Sequence, residues 1–386
     1  MSTRVDPDLL PAIKDYGAAS IDACFNCGNC TAICPLSSDA TPFPRKTIRM
    51  LQLGMTDQLL QSPDPWLCYY CGECSETCPR AADPAGTMMA ARRWLTARYD
   101  RSGHAARFYT CPRRLWTTIC LRAAIPLVLL GLYHAVTGFR WVVTDHVALN
   151  SFAPVMWVWA AVLIHCAFLG YRVVSGGLTM TRQVLGAGAA PLRIPLGVYV
   201  SELRTLLLHF FTQKRWRDCG EHQRRRWLEH LFFVSGYLIM LVLIVGLLGW
   251  FQTDRIHPVY HPQRWLGYYA TVALLYGSVS MLAGRLRKRA PIHKSSDLTD
   301  WLFPAFILVG AVTGILVHIL RYAGWPWPTY LMYLVHVMAM VAMLDVEVGI
   351  GKWMHLIYRP LAIYLQAVKE RAAGREAAGA IAGEAA

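Results

Sequence analysis

Hydrophobic positions along the chain fall into two regimes that meet near residue 111. Downstream, apolar stretches long enough to cross a hydrocarbon core of about 30 Å lie at about 115–138, 152–175, 229–251, 265–284, 300–322 and 327–356. Six spans return the chain to the side on which it starts. The loops between them test that topology. Loop 176–228 carries nine Lys/Arg and loop 285–299 carries five, whereas 139–151, 252–264 and 321–326 carry only Arg140, Arg255, Arg264 and Arg321. Basic loops stay cytoplasmic, so both termini are expected on that face of an inner-membrane, multi-pass protein. Within the long basic loop, "VYVSELRTLLLHFFTQKRW" fits an interfacial amphipathic helix as well as an ordinary surface helix. Upstream, residues 1–110 read as a separate domain whose stretch 41–67 is helical between its prolines. A membrane domain over 111–360 and a cytoplasmic tail over 361–386 complete the expected organisation.

Composition agrees with that division. The 386 residues are 55% apolar with 14 Trp and a net charge of +14, and the mean hydropathy is +0.32. Soluble chains are rarely so apolar and so basic together, whereas membrane proteins with basic loops often are. "MSTRVDPDLLPAIKDYG" has no apolar run, so a cleaved signal peptide is not expected. The clusters "RRR" at 224–226 and "RLRKR" at 285–289 flank spans, where topology explains them, and no nucleic-acid partner is needed. "GAGAAP" at 186–191 departs from the dinucleotide pattern G-x-G-x-x-G and follows no strand. Flavin or nicotinamide chemistry is therefore expected on another subunit.

The cysteines change the picture of the N-terminal region. "CFNCGNCTAICPLSSDA" (24–40) and "CYYCGECSETCPRAADP" (68–84) space four cysteines by three, three and four residues, with proline after the last. Twelve cysteines in a secreted chain would suggest disulfides, but a reducing compartment and this regularity argue against them. The pattern is that of bacterial two-cluster ferredoxins, in which the last cysteine of each run ligates the other run's cluster. Carried over, Cys24, Cys27 and Cys30 would share one [4Fe–4S] cluster with Cys78. Cys68, Cys71 and Cys74 would share a second with Cys34. Glycines 28 and 72 supply the permissive backbone that such loops require. Paired zinc sites are the competing reading, but zinc needs neither the repeated third spacing nor the trailing proline. Cys111, Cys120, Cys166 and Cys219 stand apart and are expected to be inert. The expected fold class is all-α: a helical dicluster ferredoxin domain joined to a six-helix transmembrane bundle.

Intramembrane histidines are costly and tend to be functional, and haem is the natural ligand beside iron–sulfur clusters. The candidates are His134, His165, His230, His318, His336 and His355. His336 and His355 share the last predicted span and would lie about 28 Å apart along one helix. His230 and His355 both fall at cytoplasmic ends of spans, which makes them the best pair for haem b. A histidine snorkelling to the interface is the plainer alternative for either. For His336, His318 ranks ahead of His165 and His134 as a partner, and Met240 offers a thioether. One or two haems are expected.

The same residues resemble a known family. The cysteine runs, "CPRAADPAGTMMAARRWLTARYD" (78–100), "RRWLEHLFFVSGY" (225–237), "DWLFPAFILVGAVTGI" (300–315) and "KWMHLIYRP" (352–360) look like those of the membrane C subunits of quinone-interacting membrane-bound oxidoreductase complexes. In that family a ferredoxin domain like heterodisulfide reductase C is fused to a six-span cytochrome b. The last five spans also resemble the gamma subunit of respiratory nitrate reductase, whose haem histidines lie ten residues apart on one helix. Here the residue ten beyond His230 is Met240. The resemblance implies a relay between the quinone pool (menaquinone or ubiquinone), b haems and the two clusters. The electrons would then reach flavoprotein subunits like heterodisulfide reductase A, and adenylylsulfate reductase in dissimilatory sulfur metabolism.

Two other readings compete. A membrane-bound heterodisulfide reductase fusion keeps the parts and changes the partner. A transporter with a redox-sensing domain would show inverted repeats and broken helices, which the sequence lacks. For a quinone substrate, "TDRIHPVYHP" (253–262) offers Asp254, His257, Tyr260 and His261 as titratable groups at the outer face, or else is a plain polar loop.

Overall fold

The computed structural model describes residues 4–39, 41–186, 194–219, 223–294 and 296–384. Most of "GAGAAP" (187–191) lies outside the described residues. The first part of the chain forms α1 (Leu9–Asp15), α2 (Asn29–Ile33), α3 (Arg45–Gln52), α4 (Thr56–Gln61), α5 (Asp64–Leu67), α6 (Glu73–Glu76), α7 (Pro84–Tyr99) and α8 (His104–Thr110). Proline opens α7, where a missing N–H costs nothing, and the Asp83 side chain accepts from Gly86 N–H to cap it. Met88, Ala91, Trp94, Leu95 and Tyr99 bury most of the α7 circumference, so it is the central post of this domain.

The second part contains α9 (Pro112–Thr137), α10 (Leu149–Phe152), α11 (Val155–Leu185), α12 (Leu196–Thr212), α13 (Gln223–Val245) and α14 (Leu248–Phe251). It continues with α15 (Pro262–Arg287), α16 (Pro291–Lys294), α17 (Leu298–Tyr322), α18 (Pro326–Glu347) and α19 (His355–Glu384). Six of these, α9, α11, α13, α15, α17 and α18, are long and apolar enough to cross a membrane. Among the described residues there is no strand, and the fold is all-α as expected. Large apolar side chains such as Leu129, Trp157, Ile164, Val272 and Leu331 point outward, a surface suited to hydrocarbon rather than water. Neighbours in the bundle run α9, α18, α17, α15, α13. The α13–α15 approach depends on Gly236, where a Cβ would stand 2.7 Å from that of Ala273.

Three features differ from the sequence reading. The sixth span ends at Glu347, not near 356. Gly349 (φ +95°) and a 3-10 turn at Lys352–Met354 redirect the chain, and His355 opens a new helix. His336 and His355 therefore sit on different helices, and a single-helix separation of 28 Å does not describe them. Apolar content masked the break, because Val348 and Ile350 are hydrophobic although Gly349 and Gly351 are poor helix formers. Residues 361–386 are likewise not set apart at 361. Helix α19 runs through that point, and Ala362, Ile363, Leu365 and Val368 share a core with α1, α3 and α7. Finally, α11 extends to Leu185 and delivers Met180 and Val184 into the same core. The N-terminal domain thus packs on one end of the bundle through α11, α12 and α19.

That junction is polar as well as apolar. Arg93 donates to the Tyr16 carbonyl at 2.7 Å and to Asp300 at 3.1 Å. Asp300 also takes Lys352 at 2.5 Å. Lys294 reaches Glu76 at 2.6 Å. The interfacial candidate becomes α12, which packs along α19, with the Tyr364 hydroxyl donating to the Tyr199 carbonyl at 3.1 Å. Its other face exposes Leu196, Val200, Leu203, Leu207 and Phe211, a stripe at helical spacing.

Candidate functional site

The two cysteine runs fold alike. In each, the residue before the second cysteine and the glycine after it take left-handed backbone: Asn26 (φ 60°) with Gly28 (φ 91°), and Tyr70 (φ 58°) with Gly72 (φ 89°). The glycines lead into the short helices α2 and α6, which carry Cys30 and Cys74. Any side chain at Gly72 would also collide with Pro291, at 2.5 Å from its Cβ. The loops are tied together where Asn29 donates to the Thr77 carbonyl at 2.5 Å. Main-chain N–H groups of Tyr70 and Ala82 point at Cys68 Sγ (3.3 Å) and Cys78 Sγ (3.4 Å).

The thiols sort by their neighbours. Burial raises the pKa of Cys30, and Cys24, Cys27 and Cys78 add to the rise. Burial pushes Cys34 up to about 12, with Cys68, Cys71 and Cys30 contributing. Cys74 is raised by burial and then by Cys68, Cys71, Cys34 and Cys30. Cys78 thus lies beside the first run and Cys34 beside the second. Among the described residues no three His, Cys, Asp or Glu side chains close on a single metal ion. A group that supplies positive metal charge, as iron in a cluster does, would take up such crowded thiols as thiolates.

Two arginines fit a cluster there for the opposite reason. Arg92 and Arg359 are 4% and 6% exposed, and both donate to the Cys68 carbonyl, Arg359 at 3.1 Å. Among the described residues neither has a carboxylate partner. Burial, and then the like charge of Arg359, lowers Arg92 to about 9. Buried charges are normally paired, and an anionic cluster of thiolates and sulfides would be the missing counter-charge.

The histidines divide by location. The rings of His230 (α13) and His355 (α19) face each other with centroids 6.1 Å apart at 62°. The Nδ1 of His355 meets the Lys352 carbonyl at 2.6 Å, a contact that fixes the proton there and frees Nε2. His230 Nδ1 is buried without a partner. A metal bound by two imidazoles at about 2 Å each puts the ring centres about 6 Å apart, so this pair fits haem iron. The others are taken up separately. His336 meets Thr313 Oγ1 at 2.9 Å, His318 meets the Tyr268 hydroxyl at 2.9 Å, and His165 meets Asp345 at 3.2 Å. His134 stacks between Phe139 and Phe152 at 4.5 and 4.9 Å. In the 253–262 segment, His257 and His261 stack at 4.1 Å, Asp254 accepts from Asn150 N–H at 2.9 Å, and Tyr260 is exposed.

Comparison with known proteins bears on the first part of the chain. Residues 20–82 match the 4Fe-4S dicluster domain family. Over 98 residues the chain is 38% identical to a protein of Archaeoglobus profundus that is like the C subunit of heterodisulfide reductase, covering 25% of this chain and 52% of that protein. Over 65 residues it is 36% identical to the C subunit of the H(2):CoB-CoM heterodisulfide,ferredoxin reductase of Methanothermobacter marburgensis, covering 17% and 35%. Over 71 residues it is 35% identical to the iron-sulfur C subunit of the CoB--CoM heterodisulfide reductase of Methanopyrus kandleri, covering 16% and 37%. The N-terminal domain is homologous to the C subunit of heterodisulfide reductase. The chain spans about half or less of the length of these curated relatives. No solved structure matches it.

Two features of the dicluster domain's surroundings escaped the sequence reading. Cys219, expected to stand apart, is buried on the turn Lys214–Cys219. Burial raises its thiol, and Cys71, Cys68 and Cys34 add to the rise, so it lies near the second run. Arg359 drew no notice either, although it follows His355 by one helical turn, a spacing that places both on one face.

Proposed function

We propose that the chain is the membrane electron-transfer subunit of a quinone-linked oxidoreductase in dissimilatory sulfur metabolism. Its iron–sulfur domain (1–110), with α19 packed against it, would face the cytoplasm, and haem b would be held where the membrane spans meet that domain. Cys24, Cys27, Cys30 and Cys78 would hold one [4Fe–4S] cluster, and Cys68, Cys71, Cys74 and Cys34 the other. His230 and His355 would hold a b haem. When bound, these groups supply one-electron transfer, the chemistry that side chains alone lack. The residues supply position: Lys352 orients His355, and Arg359 ties the same helix to the backbone of Cys68. The facing His230 and His355 rings, one turn from that tie, carry the reading. One or two haems are proposed, with His336, His318, His165 and His134 as the candidates for a second. Partners would be flavoproteins like heterodisulfide reductase A and, beyond them, adenylylsulfate reductase, with menaquinone or ubiquinone as substrate.

The purified protein should show b-type bands over broad iron–sulfur absorbance, with about eight non-haem irons and eight sulfides. Tightly bound zinc with no haem would sink the reading. The relatives' names favour a second reading, a membrane-bound heterodisulfide reductase component using methanophenazine or menaquinone. Co-purification separates the two: the first expects adenylylsulfate reductase, the second a heterodisulfide-reducing subunit.

A further inference from the structure

We propose that Arg92 and Arg359 raise the reduction potential of the cluster held by Cys68, Cys71, Cys74 and Cys34. They would make it the more easily reduced of the two and the point where electrons pass between membrane and iron–sulfur domains. The inference rests on the cluster assignment proposed above. Both guanidiniums grip one main-chain segment. Arg92 Nε donates to the Pro65 carbonyl at 2.6 Å, and its Nη2 donates to that of Cys68. Arg359 Nε donates to the Trp66 carbonyl at 3.3 Å and Nη2 to that of Cys68 at 3.1 Å. Aromatic rings shield them from water, Trp66 beneath Arg92 at 5.7 Å and Tyr69 beneath Arg359 at 4.4 Å. Their neighbour Arg93 is different, because Asp300 and Asp297 face it at 3.1 and 4.0 Å.

The surroundings of the other cluster contrast with this. Cys27 is exposed, Arg80 lies over the exposed ring of Phe25 at 5.9 Å, and the other cation there, Arg45 beside Gly28, is only half-buried. Charges in contact with water are screened, whereas two uncompensated cations in a dry site act at low dielectric. The couple is the one-electron step from [4Fe–4S]2+ to [4Fe–4S]+, in which no bond forms or breaks. Adding an electron makes the cluster more negative, so fixed positive charge favours the reduced form. The two arginines also come from different helices, one on α7 of the iron–sulfur domain and one on α19 beside His355. They therefore set the potential where the two domains meet.

The test is a mediated redox titration of the whole purified protein, reading both clusters by electron paramagnetic resonance beside iron and sulfide content. Arg92→Gln and Arg359→Gln are made singly, with Arg359→Lys as the charge-conserving control. Cys71→Ser identifies which signal belongs to the second run. At the wild-type midpoint, each Gln variant should lower the reduced-to-oxidised ratio of that cluster about tenfold, a shift of about −59 mV. The other signal should stay in place, and Arg359→Lys should keep most of the wild-type value. An unshifted potential at full iron content in either Gln variant overturns the inference, as does an equal shift of both signals. If one Gln variant fails to assemble, the other decides. Wild-type protein without the two clusters would instead overturn the cluster assignment itself.

Discussion

The two ends of the membrane bundle hold similar residues and use them differently. At the end that carries the iron–sulfur domain, His230 and His355 face each other at 6.1 Å and each keeps a ring nitrogen unspent. At the far end, His318 is held by Tyr268, His134 lies between two phenylalanines, and His257 leans on His261. The arginines at the two ends hold different things. Arg321 at the far end donates to the Thr253 carbonyl and, at 3.0 Å, to that of Arg255, so it pins a loop. Arg359 at the near end donates to the carbonyl of a proposed cluster ligand. Unpartnered ring nitrogens alone do not separate the ends, because both nitrogens of His134 are buried without a partner as well. What differs is the company: His230 has a second imidazole 6.1 Å away, whereas His134 stacks on Phe139 and Phe152, so the near end is the one proposed for a cofactor.

Removing a ring from each end tests this most severely. His355→Ala should abolish the low-spin b spectrum and stop quinol-driven reduction of the clusters, whereas His318→Ala should leave the low-spin bands in place. Loss of those bands from His318→Ala, with His355→Ala unaffected, would reverse the comparison. The next effect in size lies within the iron–sulfur domain. Because Cys34 sits with the second run and Cys78 with the first, Cys34→Ser should lose the cluster of Cys68, Cys71 and Cys74. Cys78→Ser should lose that of Cys24, Cys27 and Cys30. Each should remove about four of eight irons, and resonance signals should show opposite survivors. Identical survivors in both variants would mean that ligands do not cross.

Much of this was legible in the sequence because the signals were periodic or locally spaced. Six apolar runs and two cysteine runs each depend on residues close together in the chain, and the fold class followed from them. What the sequence hid depends on three-dimensional return. The break at Gly349 lay inside an apolar stretch, so hydrophobicity outweighed two glycines and placed His355 on the wrong helix. Arg92, Arg359 and Cys219 meet the second cysteine run only because α7, α19 and the turn Lys214–Cys219 converge there. No spacing rule links residues 92, 219 and 359. The 253–262 segment shows the converse: Asp254, His257 and His261 stood out by residue type, but Asp254 accepts from the sequence-distant Asn150 N–H and His261 from Gln263 N–H two residues on.

A smaller effect concerns how the near end is held. Asp300 is 2% exposed and stands between Arg93 and Lys352. Asp300→Asn would leave Lys352 without its carboxylate and Arg93 with only Asp297 at 4.0 Å. Breaking a buried ion pair in this way costs about 3 kcal/mol. The iron–sulfur absorbance should bleach at a lower temperature, and protease should reach the junction sooner. A paired Lys352→Met change should recover part of the loss by removing one stranded charge. If Asp300→Asn melts like the parent protein, the triad does not hold the domains together.

The smallest effect is expected at the far end. His257 and His261 would be the proton acceptors if the proposed quinol were oxidised there, but His261 Nδ1 already accepts from Gln263 N–H at 3.3 Å and caps α15. Losing a cap costs about 1 kcal/mol, a structural change that would lower thermal stability without touching electron transfer. A role in quinol oxidation predicts something else. His257→Ala with His261→Ala should slow quinol-driven haem reduction about tenfold, below the usual range for a lost general base because Tyr260 and Tyr268 remain nearby. Reduction by dithionite, which needs no proton acceptor, should keep its rate. Stopped-flow absorbance in the haem band measures both. His261→Asn, which restores a capping oxygen, separates the two effects: it should recover stability but not the quinol rate. If it recovers both, the segment is a helix cap, and quinol must be oxidised elsewhere, most directly beside His230 and His355.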